Sequence, residues 1–248
     1  MRRVLLTGGL LVVLSTIAFA AKKKANFDYQ PDVKMTVEEL LSLPGANRLE
    51  VAKKRGSEFA PSLEKLAFSP AEDYRVRWKS LILAAQIEGA KAGLFLDRAV
   101  KAPEWYIRNA GLLAYQDVLP KKAKVIAEKL LNDKALVVRS AAVQVLAQSM
   151  DESVRETLWD QIGNAKNFRK KQSLFIRGQI LSVLAQDPRE KEIPLYMKHL
   201  NESDTRLHSP AIAALERVTA RKFGNKKDTV DKKRDLWIQW AKNTPESR

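Results

Sequence analysis

Asp133–Ala147 reads DKALVVRSAAVQVLA. An acidic turn residue leads into two β-branched residues, an arginine, and a helix whose apolar stripe is built from small side chains. Variants of this stretch recur before and after it, and that recurrence decides the fold.

Five helix starts align: YRVRWKSLILAA (Tyr74–Ala85), WYIRNAGLLAYQ (Trp105–Gln116), LVVRSAAVQVLA (Leu136–Ala147), LFIRGQILSVLA (Leu174–Ala185) and TRLHSPAIAALE (Thr205–Glu216). Their fourth residues are Arg77, Arg108, Arg139, Arg177 and His208, spaced by 31, 31, 38 and 31 residues. The residue before each is aliphatic: Val76, Ile107, Val138, Ile176 and Leu207. Four positions on stand Leu81, Leu112, Val143, Leu181 and Ile212; seven on stand Ala84, Tyr115, Leu146, Leu184 and Leu215. Together with the position three after the basic residue, these offsets share one face of a helix. That remaining position holds Ser80, Gly111, Ala142, Ile180 and Ala211, mostly small enough for a neighbouring helix to approach closely.

A first helix precedes each of these: Ser62–Phe68, Ala92–Val100, Ala123–Leu131, Val154–Ile162 and Ile193–Leu200. Leu94 and Val125, Phe95 and Ile126, and Val100 and Leu131 stand in the same 31-residue register. Turns carry Pro, Asn, Asp or Ser, as in Ser69-Pro70, Pro103, Asn132-Asp133 and 201–204. The unit is an antiparallel helix pair. No stretch shows sustained alternation or an Asn-Gly or Asp-Gly hairpin signal, so no strand is predicted. The expected fold is all-α: an α-solenoid of about five helix pairs over 62–219, capped by helices at 35–61 and 220–248.

Helix pairs with an acidic turn, Val-Arg and a small-residue helix resemble the HEAT repeat, especially its short bacterial form. The likeness covers 62–219, and Asp133–Ala142 is its closest unit. The fifth unit departs from it, with His208 for arginine and Pro210 early in the helix. The resemblance implies a right-handed solenoid used mainly as a protein-binding scaffold. The tetratricopeptide pattern has a different period, 34 residues, and a different aromatic signature.

The ends fit an array. Thr36 with Glu39 forms a capping-box signature before Leu40, Leu41 and Leu43, and Pro44-Gly45 stops that helix. Residues 47–55 read as a second short helix ended by Gly56. Beyond the repeats, Lys232–Lys242 carries Leu236, Trp237 and Trp240 at helical spacing, suited to sealing the last unit. This segment resembles the terminal helix of bacterial HEAT-like proteins.

At the N-terminus, Arg2 and Arg3 precede an apolar run and Ala18-Phe19-Ala20, the three parts of a secretory signal. Residues 1–20 are expected to be cleaved near Ala20, leaving a flexible leader at 21–34 and a periplasmic or secreted protein. The alternative is an uncleaved inner-membrane anchor, which Lys22, Lys23 and Lys24 favour. The chain holds 44 Lys+Arg against 29 Asp+Glu, a net charge of +15, and no cysteine. Missing cysteine rules out disulfides, thiolate metal sites and cysteine nucleophiles. The positive excess suits anionic partners without choosing among them.

Arg77, Arg108, Arg139 and Arg177 suggest two roles. As a structural ladder, each would bond an acidic turn residue or carbonyls of an adjacent unit, with Asp73, Glu104, Asp133 and Asp204 nearby. As an anion-binding stripe, they would face solvent. A planar guanidinium that bonds several acceptors at once favours the ladder. The 38-residue step marks an insertion at 163–173, GNAKNFRKKQS. It carries Lys166, Arg169, Lys170 and Lys171 around Phe168. Insertions in repeat arrays fall on one face, often the binding face, so these five residues are the candidate partner contacts, against the reading of a longer solvated loop.

Chemistry has few parts to work with. His199 and His208 are nine apart, outside helical metal-ligand spacing. No phosphate loop or nucleophile elbow occurs in the mature chain. No catalytic residue, cofactor or metal is expected. The expected function is a non-enzymatic exported scaffold binding a protein partner. The alternative is a polyanion binder for cell-wall polymer, anionic lipid or nucleic acid, with no specific nucleic acid target expected. HEAT-like folds also include DNA glycosylases and phycobilin lyases, so fold alone does not exclude catalysis.

Overall fold

Short polar side chains set the first helix. In the computed structural model, which describes residues 35–243, Thr36 Oγ1 accepts from the Glu39 N–H at 3.2 Å. Glu39 accepts in return from the Thr36 N–H at 2.8 Å, completing the capping box. The expected signal segment and leader lie outside the described residues. Helix α1 (Val37–Ser42) stops before Pro44, and α2 (Gly45–Lys54) begins at the following glycine.

Gly56 does not end a helix pair but opens α3 (Gly56–Phe68), which runs through Pro61. A Cβ at Gly56 would lie 2.6 Å from Ile87 Cγ2, so glycine is required by the close crossing of α3 over α4 (Tyr74–Glu88). Four helix pairs follow. Their first helices are α5 (Gly93–Ala99), α7 (Pro120–Leu130), α9 (Glu152–Ile162) and α11 (Ile193–Leu200). Their second helices are α6 (Trp105–Val118), α8 (Leu136–Ala147), α10 (Phe175–Leu184) and α12 (Thr205–Thr219). Each second helix packs on the next, α4 on α6, α6 on α8, α8 on α10 and α10 on α12. The fold is all-α, and this stacking is compatible with a helical-repeat solenoid.

The sequence columns become the core. Ser80, Gly111, Ala142, Ile180 and Ala211 are all buried, as are Leu81, Leu112, Val143, Leu181 and Ile212. A Cβ at Gly111 would meet the Ala99 Cβ at 2.9 Å, so here the small-residue column is a steric requirement. The first-helix register splits. Phe95 and Leu131 are buried, whereas Leu94 and Val125 share a register position that faces outward.

First helices are also tied to each other by surface ion pairs. Arg98 meets Glu64 at 3.4 Å, Lys122 meets Asp97 at 3.6 Å, Lys124 meets Asp151, and Arg189 and Lys191 meet Glu152. Exposed pairs contribute little each, about 0–1 kcal/mol, so the apolar columns hold the stack. At the C-terminal end, α13 (Val230–Asn243) inserts Trp237, fully buried, edge-on against Phe223 and Trp240 at 4.6 and 5.3 Å. Arg234 donates to the Leu200 carbonyl at 2.7 Å and caps the end of α11. No helix among the described residues is long and apolar enough to cross a membrane.

Candidate functional site: the turn edge of the array

Every turn from a first to a second helix falls on one edge of the stack, and the basic column lies along it. Arg77, Arg108, Arg139, Arg177 and His208 are all buried. Each arginine reaches back to its own unit and forward to the next. Arg77 donates to the Ala67 carbonyl at 3.2 Å, and forward to Tyr106 Oη at 2.7 Å and Glu104 at 2.9 Å. Arg108 donates to the Ala102 and Pro103 carbonyls at 2.9 and 2.8 Å, and clasps both oxygens of Asp133 at 2.6 and 2.7 Å. Arg177 donates to the Ile162 carbonyl at 2.8 Å and forward to both Glu202 oxygens at 3.0 and 2.8 Å. His208, in the last unit, reaches back only, its Nε2 standing 2.8 Å from the Glu202 carbonyl. Asp73 caps α4 by accepting from the Arg75 N–H at 2.8 Å, as Asp204 caps α12 from the Arg206 N–H at 3.2 Å.

Arg139 is the rung that meets the insertion. It donates to the Asp133 carbonyl at 2.9 Å, to Asn167 Oδ1 at 3.1 Å and to the Lys166 carbonyl at 2.6 Å. Its forward partner is thus a neutral amide where the other arginines find carboxylates. Burial pulls the Arg139 guanidinium below the usual arginine range, against the opposing pull of Asp133. Burial also pushes up Glu104, Asp133 and Glu202, but it is outweighed by the Glu104 N–H and Arg77 at Glu104, by Arg108 and the Ala135 N–H at Asp133, and by Arg177 and His199 at Glu202, so all three carboxyls lie below their ordinary values.

The insertion is not a plain loop, which corrects the expectation of no strand. Phe168–Arg169 (β1) pairs antiparallel with Gln172–Ser173 (β2) in a minimal hairpin. Lys170 and Lys171 form its turn with φ of 48° and 65°. Such two-residue turns need positive φ at both positions and normally recruit Asn-Gly, so Lys-Lys gave no turn signal. Asn167 is buried against Arg139 and donates to the Gln161 carbonyl at 2.7 Å. The Phe168 ring lies under the Arg177 guanidinium, 4.5 Å away. Lys166 donates to the Asn132 carbonyl. Of the five candidate contact residues, Phe168 is half-buried and Lys166, though exposed, is engaged with Asn132, while Arg169, Lys170 and Lys171 are exposed with no ion-pair partner among the described residues. Beside the hairpin opens a cleft of about 680 Å³, lined by Lys171, Ser173, Arg177, Asp204 and Arg206.

The same edge carries an apolar stripe. Tyr74, Trp105, Val137 and Phe175, the first or second residues of successive second helices, are each about half exposed (47–49%). Tyr74, Trp105 and Tyr106 pack edge to edge, with centroids 5.9 and 6.0 Å apart. With Trp78 they line an apolar cleft of about 340 Å³, rimmed by Arg75 and Lys79. These aromatics stood in the alignment, but beside buried columns they read as ordinary helix starts.

Two polar clusters escaped sequence reasoning. Arg155 and Glu192 form a buried pair between α9 and α11. Glu192 also accepts from Trp159 Nε1 at 2.8 Å, and Tyr196 packs edge-on against Trp159 at 5.0 Å. The signal was present: Arg155 sits on the helix face of Leu158 and Ile162, where a charge needs a buried partner. Both histidines converge on Glu202. His199 Nδ1 lies 2.7 Å from its carboxylate, and the His199 ring stacks on Trp159 at 6.0 Å. Both rings are thus engaged in holding the turn.

No family model matches the chain, and no curated protein matches it. Among solved structures it is similar to an engineered protein from the Northeast Structural Genomics Consortium. The TM-score is 0.45 and the identity 16%, over 73% of this chain and 87% of the other. At that level the likeness carries no argument about function.

Proposed function

We propose that the chain is a HEAT-like α-solenoid that serves as a non-enzymatic, exported scaffold and binds a protein partner along its turn edge. One observation carries the reading: four large apolar side chains stand half exposed at the starts of successive second helices, Tyr74 and Trp105 three positions before their arginines and Val137 and Phe175 two before theirs, with an outward cationic hairpin in the same array. Exposed apolar side chains clustered on a polar surface, as Tyr74 and Trp105 are about Tyr106, mark interaction sites. The arginine column supports an architectural role for itself, since its forks are filled by turn carbonyls and carboxylates. Both histidines are likewise bound to Glu202, which leaves them to structure rather than catalysis.

The test is site-specific photocrosslinking in cells, from Trp105, Phe175 and Lys170 of the full chain, with Leu94 on the first-helix face as control. A stoichiometric protein adduct from the three edge positions and none from Leu94 supports the scaffold. The recovered N-terminus reports whether residues 1–20 are cleaved. A second reading is favoured by the unpaired Arg169, Lys170 and Lys171: a polyanion binder. Edge crosslinks to no protein, with salt-sensitive retention on anionic lipid or cell-wall polymer, would favour it.

A further inference from the structure

We infer that the partner presents an acidic polypeptide segment with interspersed apolar or aromatic anchors, laid along the turn edge between the Tyr74–Trp105 cleft and the Lys170–Lys171 hairpin. This rests on the proposal that the turn edge is the binding surface.

The charge argument begins with the ladder. Each arginine engages a turn acceptor of the next unit, so the carboxylates of this edge are spent internally. Glu104 is held by Arg77, Asp133 by Arg108 and Glu202 by Arg177. Asp204 is held by Arg206 and Ser173. Among the described turn carboxylates, Asp73 caps a helix and Glu72 alone has no such partner. The cations are not spent in this way: Lys101, Lys134, Arg169, Lys170 and Lys171 are exposed and carry no ion pair among the described residues. The edge facing a partner is therefore positive, although its turns are acidic in sequence. A negatively charged ligand is selected for steering and register.

The hairpin supplies an independent argument. Lys170 and Lys171 both occupy left-handed backbone, where β-carbons are penalised and Asn-Gly would fit at lower cost. Such strain persists where the surrounding structure over-determines it, and it concentrates at ligand clamps. Here Asn167 under Arg139 and Phe168 under Arg177 fix the leading side of the hairpin, and Ser173, bonded to Asp204 and Arg177, fixes the other. Two ammonium groups are thus presented from a rigid platform at the expense of backbone comfort.

Charge alone would suit any polyanion. The aromatic cleft narrows the class, because its lining is mostly the rings of Tyr74, Trp78, Trp105 and Tyr106, with Arg75, Lys79 and Asn109 completing it. Val137 and Phe175, half exposed at the starts of α8 and α10, add apolar surface in the units that follow. Acidic lipid headgroups and cell-wall phosphates offer nothing to fill that cleft. An acidic segment with leucine or phenylalanine at intervals offers both.

The experiment uses the full chain and three fluorescent probes of equal length: a peptide alternating Glu with Leu and Phe, an oligo-Glu peptide, and a single-stranded oligonucleotide. Anisotropy titrations at two salt concentrations are read for wild type, Trp105→Ser and the pair Lys170→Glu with Lys171→Glu. Both sets of substitutions fall on exposed side chains, and melting curves check that the fold is kept. The mixed peptide is expected to bind about tenfold or more tightly than oligo-Glu. Trp105→Ser should weaken it about tenfold with the salt dependence kept, whereas the double reversal should weaken it and flatten the salt dependence. Equal binding of mixed and oligo-Glu peptides, tighter binding of the oligonucleotide, or indifference to both variants overturns the inference. Protein adducts from the edge positions with no mixed-peptide binding would sink this assignment while leaving the scaffold intact; no protein adducts at all would sink the scaffold.

Discussion

Replacing Arg139 with alanine tests the ladder where it carries most. The side chain is 3% exposed and satisfies Asn167 Oδ1, the Lys166 carbonyl and the Asp133 carbonyl. Truncation leaves these acceptors without their donor. Each buried acceptor left unmet costs about 1–3 kcal/mol, and water reaches some of them, so a total of about 3–5 kcal/mol is expected, comparable to breaking a buried polar pair. For a chain of this size each kcal/mol moves Tm by about 2–4 °C, which gives a fall of about 6–20 °C by calorimetry or circular dichroism. The loss should also be local, because Arg139 is what anchors Asn167. Limited trypsin digestion should nick Arg139→Ala first at Arg169, Lys170 or Lys171, while Arg77→Ala, two units away, should lower Tm without favouring those bonds. An unchanged melting curve, above all one accompanied by lost ligand binding, would refute the structural reading of the column and restore the anion stripe. Nicking spread evenly over the exposed lysines would refute the anchoring of the hairpin.

Three other perturbations follow from the geometry. Lys170→Asn with Lys171→Gly should relieve the left-handed lysines and raise Tm by about 2–4 °C, while mixed-peptide binding falls. Glu192→Gln should cost about 3–5 kcal/mol in urea unfolding, because it leaves Arg155 buried without its counter-charge. It should also flatten the acid limb of stability. Burial pushes the Glu192 carboxyl up, but bonds from Arg155, Trp159 and the Arg189 N–H hold it below the ordinary 4.5. Its stabilisation is therefore present above that value and lost as pH falls through the lower folded value. His199 adds a milder limb. Burial lowers its pKa, Glu202 opposing, so the folded state resists protonation relative to the ordinary 6.5. Stability should decline as pH drops below that value, and His199→Gln should remove that part of the decline in urea midpoints measured across it.

The second helices were legible because their apolar columns repeat at helical offsets and every unit repeats the same crossing. First helices were less so. Their boundaries depend on contacts that periodicity does not encode, as with Gly56, whose role is room for Ile87 rather than a helix stop. The hairpin was hidden because its turn uses lysines where backbone preference asks for asparagine and glycine. Tertiary clamps on Asn167 and Phe168 override local propensity there. The basic content of the insertion was visible, but its division into engaged and unengaged side chains was not. That division depends on which groups Arg139, Arg177 and Asn132 take up. The aromatic cleft was missed for the opposite reason: its residues lie in the alignment, and only exposure separates them from the core.

The one-way reach of the arginines gives the array a direction. A chain made from its N-terminus always ends, during synthesis, on a unit whose arginine has found its own turn but not the acceptors still to be made. Each new turn completes the rung before it, and the last unit ends the column with a histidine whose bond runs back to the Glu202 carbonyl. Cutting from the two ends is therefore unequal. Loss of a leading unit deprives an acceptor at the surface, where water can serve it, whereas loss of a trailing unit strands a guanidinium. Copying the Arg108 unit would set Arg108 against a second Glu104 turn, so lengthening from within keeps a forward acceptor for each arginine even where the acceptor changes.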